Sequence, residues 1–152
     1  METGLVALED TDRHRRLLGE AAACADSADA DLVLLWILDP AEHDRKLDTL
    51  ETVGRVEHAD YDTNVIFEGA AEDARRLARD VLGETGTDLH VVVAVADEDE
   101  RADAILDSAD DNGCDHVFLV GEGRSPAGKV LFGNVAQRVV LDFDGYVTLR
   151  TY

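Results

Sequence analysis

Four nearly unbroken apolar runs restrict what this chain can fold into: Leu5 to Leu8, Leu32 to Leu38, Leu89 to Ala96, and Val117 to Val120. A strand wetted on one face alternates apolar and polar residues. A run that is apolar throughout suits a strand covered on both faces, as inside a parallel sheet. Parallel strands need crossover connections, and helical patterns stand between and after the runs. Leu17, Leu18, Ala21, Ala22 and Ala25 recur at helical spacing after the first run, with Thr11 or Asp12 placed to cap them. Ile66, Ala70, Ala74, Leu77, Ala78, Val81 and Leu82 form a second apolar face, ended by Gly83 or Gly86. Ala102, Ile105, Leu106 and Ala109 form a third, opened by Asp97 to Glu100 and closed at Asn112-Gly113, and Val135, Val139 and Val140 mark a fourth. Tyr146 to Arg150 alternates, which predicts a strand at the sheet edge.

The order βαβαβαβαβ predicts an α/β fold in which residues 1–152 form a single domain, a five-stranded parallel sheet with helices on both faces. Residues 41–63 fit this least well. Leu47, Leu50, Val53 and Val56 recur every third residue, but Gly54 and the polar stretch 57–64 favour a long connection with some helix, after a stop at Asp39-Pro40. With the first strand central, the strand order is 3-2-1-4-5 and the chain reverses direction between strands one and four. Ligands of such sheets bind at that point, beyond the carboxyl ends of the strands. Glu9-Asp10 then faces Gly121 to Arg124 across a cleft.

The second wall of that cleft carries the richest stretch of the chain. Gly121, Gly123, Arg124, Ser125, Gly128, Lys129, Gly133 and Asn134 lie between the fourth strand and the helix beginning at Val135. Backbone N–H groups in a glycine-rich loop leading to a helix N-terminus can point at an anion. The spacing fits neither the Walker A nor the dinucleotide fingerprint. Asn134 is a good N-cap for the helix, and Ser125 with Pro126 reads as an N-cap followed by N1. Arg124 is a permanent cation that either grips a phosphate or fills the cleft by pairing with Asp10 or Glu9.

Charge excludes some partners. The 34 acidic residues against 14 basic give a net charge of −20, a surface that repels nucleic acids and anionic membranes. The acids are spread through every segment between apolar runs, and only Lys46 and Lys129 are lysines, a pattern similar to that of proteins from salt-loving microbes. Met1-Glu2-Thr3-Gly4 lacks the basic region of a secretory signal, so a cytoplasmic protein is expected. Cys24 and Cys114 are far apart, have no CxxC spacing, and read as buried thiols. Trp36 reads as core, His14, His43 and His58 as solvated, and His90 and His116 as lying at the strand ends opposite the cleft. With no histidine placed to activate Ser125, and Asp12 better used as a cap than in an acid/base pair with Asp10, neither a catalytic nor a metal site is expected.

The run Gly121-x2-Arg124-Ser125-Pro126-x-Gly128-Lys129-x2-Phe132-Gly133-Asn134-Val135-Ala136-x2-Val139, with an acidic residue ending the first strand, resembles the universal stress protein family, particularly its salt-adapted archaeal members. The resemblance implies a stress-response or signalling module without enzymatic activity, often dimeric through its last strand. It also implies, in one branch, ATP or a related adenine nucleotide, with magnesium, held by a G-x2-G-x9-G-(S/T) loop. Gly121 matches the first glycine of that loop and Gly133 the last. The middle position holds Arg124 counted forward and Gly123 counted back, so the loop is one residue short, and Asn134 replaces the serine or threonine. Asp10 matches the acidic residue near the adenosine; Leu8 and Glu9 stand where proline and threonine are often found. A homodimer would use Val147 and Leu149. The alternative implied by the departures is a dimeric interaction protein of the same fold that binds no nucleotide.

Overall fold

The computed structural model describes residues 1–52, 59–124, 126–127 and 130–151. The apolar runs form the strands β1 (Thr3–Leu8), β2 (Asp31–Leu38), β3 (Leu89–Val95) and β4 (His116–Val120), with three residue pairs linking β1 to β4 and full-length ladders elsewhere. The alternating segment forms the last strand, β7 (Tyr146–Arg150), parallel to β4. The sheet order is β3-β2-β1-β4-β7, the expected 3-2-1-4-5 arrangement. Two further short strands, β5 (Gly123–Arg124) and β6 (Val130–Leu131), pair antiparallel in a separate hairpin.

Because successive side chains of a strand point to opposite faces, each run feeds two cores. Val6, Leu8, Leu32, Leu34 and Phe118 pack under α1 (Asp12–Ala28) and α3 (Ala59–Leu82), meeting Leu17, Leu18, Ala21, Leu77 and Ala78. Leu5, Val33, Leu35, Val117 and Leu119 pack under α4 (Arg101–Asp111) and α5 (Asn134–Asp142), meeting Ala102, Ile105, Ala109, Ala136 and Val139. Covering on both sides is what makes the runs apolar throughout. Trp36 is half-buried at the edge of the first core.

The connection after β2 differs from the expected loop. Asp39-Pro40 ends β2 as expected and also starts a helix, α2 (Pro40–Thr52): the Asp39 carboxylate accepts from Ala41 N–H at 2.8 Å, His43 N–H bonds the Asp39 carbonyl at 3.0 Å, and Pro40 takes the first helical position. Leu47 gives α2 a foothold against Leu38, Ile66 and Ala70. Helix α3 begins at Ala59, six residues before Val65, and ends at Leu82, where Gly83 takes φ +62° and donates to the Arg79 carbonyl at 2.9 Å. Gly54, Val53, Val56 and His58 lie outside the described residues.

Cys24 is exposed on α1, which corrects the reading of it as a buried thiol. Cys114 is partly buried; burial, with the neighbouring Asp115 carboxylate, pushes its thiol up to about 11, so it stays protonated. At the open edge of the sheet, Val147 and Leu149 pack partly inward against the α4 and α5 layer, while Tyr146 and Thr148 are exposed. No helix among the described residues is long and apolar enough to cross a membrane.

Candidate functional site

A cavity of about 410 Å³ opens at the carboxyl ends of β1 and β4, within the size range of small-ligand sites, roughly 300–1,000 Å³. Ile37, Ile105, Leu119 and Ala136 give it an apolar floor; its rim is charged.

The β1 wall is set by the direction of two adjacent carboxylates. Glu9 turns into the cleft and forms an ion pair with Arg101, the first residue of α4. Asp10 turns to the opposite side of the sheet, where it pairs with Arg15 at 2.9 Å beside Trp36, Asp73 and Arg76. The acid facing the cleft is therefore Glu9, and the sequence-predicted Asp10 lines a separate hollow. Neither pairing involves Arg124, whose side chain lies outside the described residues. Behind Glu9, Thr11 caps α1: its hydroxyl accepts from His14 N–H at 3.2 Å and lies 2.7 Å from His14 Nδ1. His14 is half-buried in the cleft, not solvated. Burial pushes its pKa below the ordinary 6.5, and Arg101 and Arg13 act in the same direction against Glu9, so the ring is neutral at pH 7.

The β4 wall is backbone. Gly121 is buried and donates to the Arg150 carbonyl at 2.9 Å, Gly123 is buried in β5, and Gly133 lies at the mouth with φ +82° and ψ 162°. Gly133, not Asn134, is the N-cap of α5: its carbonyl takes the first helical bond from Gln137 N–H at 3.0 Å, and Asn134 is already helical. Asn134 faces a second hollow with Gln137 and Leu141, whereas Val135 lines the main cleft. Pro126-Ala127 is a turn of the β5–β6 hairpin and does not open a helix; Ser125, Gly128 and Lys129 lie outside the described residues.

Glu122 and Gly133 touch closely. A Cβ on Gly133 would lie 2.6 Å from Glu122 Cγ and 2.8 Å from its Oε1, so the glutamate side chain lies against the N-terminus of α5. Arg101 and His14 are cleft residues that sequence reasoning did not place there, whereas Glu122 and Phe132 belong to the stretch read as its second wall. A right-handed crossover from β3 brings the start of α4 back over β1, and that path could have signalled Arg101. The described residues contain no group of three or more His, Cys, Asp and Glu side chains that could hold a metal ion.

The model of the Universal stress protein family matches residues 1–148. A universal stress protein from Archaeoglobus fulgidus superposes with a TM-score of 0.62 at 23% identity, over 98% of each chain. A universal stress protein solved in complex with cAMP gives 0.64 at 18% identity, over 99% of this chain and 96% of the other. A universal stress protein from Archaeoglobus fulgidus in complex with dAMP gives 0.55 at 18% identity, over 98% and 97%. No curated protein matches at a significant level.

Proposed function

The chain belongs to the universal stress protein family, and from that premise we propose that it is a non-enzymatic stress-response module that binds an adenine nucleotide in the cleft between β1 and β4. The observation that carries this reading is the cleft itself: an apolar floor large enough for a base and ribose, with Gly121, Gly133 and Val135 on one wall and Glu9 and Arg101 on the other. Relatives of the same fold in complex with cAMP and dAMP support the choice of adenine. We assign the ligand's phosphate end to Gly123 and Arg124 of β5, to Asn134 at the start of α5, and to Ser125, which lies outside the described residues. Asp10 and its Arg15 partner have no part in this reading.

Isothermal titration with AMP and ATP in high salt with magnesium tests it. The expected result is a saturable heat at one site per chain. No heat with either nucleotide would leave the alternative, an interaction protein of the same fold, which the exposed Val140, Leu141 and Tyr146 favour. Release of ADP or AMP on incubation would contradict the non-enzymatic part. We also propose a homodimer through the open edge of β7; since Val147 and Leu149 are partly used by the core, the contact rests on the strand's backbone edge together with Tyr146. A monomeric mass by light scattering would refute it. The acidic surface is part of the same proposal, as an adaptation to high salt.

A further inference from the structure

Among the described residues, four carboxylates line the cleft, from Glu9, Asp12, Glu98 and Glu122, against the guanidinium groups of Arg13 and Arg101, and Arg101 is already engaged by Glu9. The distribution is uneven. Glu9 and Arg101 neutralise one another on the β1 side, whereas along α5 the described lining is uncharged, Asn134 and Gln137 included, except for Glu122 against Gly133. A helix N-terminus is where the second and third phosphates of a nucleotide would otherwise find N–H donors and a favourable dipole. Here the exposed Glu122 side chain lies against Gly133, and Glu122 lines both the main cleft and the hollow that continues along α5.

We infer that Glu122 sets the charge class of the ligand: the cleft takes an adenine nucleoside or monophosphate and discriminates against the triphosphate. The argument rests on the nucleotide-binding reading above and adds a selectivity to it. A nucleoside fills the apolar floor without approaching Glu122. A single phosphate reaches the Arg101 side, where it competes with Glu9 for the guanidinium. A triphosphate extends two more anionic groups along the wall that leads to α5, and there the nearest described charge is negative.

The test is a set of titrations with adenosine, AMP and ATP, at one ionic strength and with EDTA so that no cation bridges ligand and protein, on the wild type and on Glu122→Gln. Wild type should bind ATP roughly tenfold or more weakly than AMP, and removing the one charge should narrow that gap by roughly tenfold. Adenosine affinity should change much less in the variant than ATP affinity. ATP binding tighter than AMP in wild type, or a gap that Glu122→Gln leaves unchanged, overturns the selectivity while the nucleotide reading stands. No binding of any of the three overturns both.

Discussion

The two walls of the cleft are built in opposite ways. The β1 wall is an extension of the core: Leu8 is buried at the end of a central strand, Thr11 caps a long helix immediately beyond it, and Glu9 is tied to another helix through Arg101. The β4 wall leaves the core at Gly121 and runs through a short hairpin to a helix whose N-cap is a glycine with no capping side chain. Side chains hold the first wall in place. The second is set by backbone conformation and by one close contact, Glu122 with Gly133. Damage to the packed and capping residues of the first wall, Leu8 and Thr11, should therefore register as lost stability, and damage to the second wall or to the Glu9–Arg101 pair facing the cleft as altered ligand binding.

Leu8→Ala should give the largest effect. It leaves a cavity where the strand meets α1 and costs about 2–5 kcal/mol, which calorimetry should read as a drop of roughly 5–15 °C in Tm. A drop of only a degree or two would mean that the β1 wall is not part of the core. Gly133→Ala comes next, at about 1–3 kcal/mol, because alanine is strained at φ +82° and its Cβ would displace Glu122. The contrast between walls sharpens here, since this variant should lose ligand affinity out of proportion to its Tm. Thr11→Ala removes the cap of α1 and the hydroxyl beside His14, at about 1 kcal/mol. Thr11→Ser should recover most of it.

Glu9→Gln should change Tm little, because the Glu9–Arg101 pair is partly solvated and such pairs contribute about 0–1 kcal/mol. It removes the nearer of the two carboxylates paired with Arg101, the other being Glu98 at 4.0 Å, so AMP should bind more tightly; weaker binding would contradict the place given to that ion pair. The smallest effect concerns pH. His14 is held neutral by burial, with a folded pKa below 6.5, so the folded state binds fewer protons than the unfolded chain as pH falls from 6.5. The stability that depends on neutral His14 is complete above pH 6.5 and is lost as pH falls towards the folded value. Urea unfolding across that range should show a slope that His14→Gln reduces and does not abolish, since burial lowers His116 in the same direction.

The difference between the walls also explains what could be read in the sequence. Strand order and the two helical layers follow from unbroken apolar runs and from patterns of period 3.6 that are strong where residues are buried; the sequence leaves the cap of α1 between Thr11 and Asp12 and favours Asp12, whereas the structure gives it to Thr11. The extent of α2 escaped because its surface is mostly polar, and Asp39-Pro40, which does end β2, also caps the helix through an Asp39 contact visible only in three dimensions. At the site, Gly121, Gly133 and Val135 line the cleft as expected. The exchange of Asp10 for Glu9 depends on how the strand end twists after Leu8, which no motif specifies. Arg101 joins the rest only through tertiary packing, across a separation of 92 residues from Glu9.

Mapping amide chemical shifts during a titration with AMP tests the location of the site most directly. The structure predicts perturbations at Glu9, Arg101, Gly121 and Gly133, with Asp10, Trp36 and Asp73 unmoved. Perturbations centred on the Asp10–Trp36 hollow, or none anywhere at saturating AMP, would contradict it.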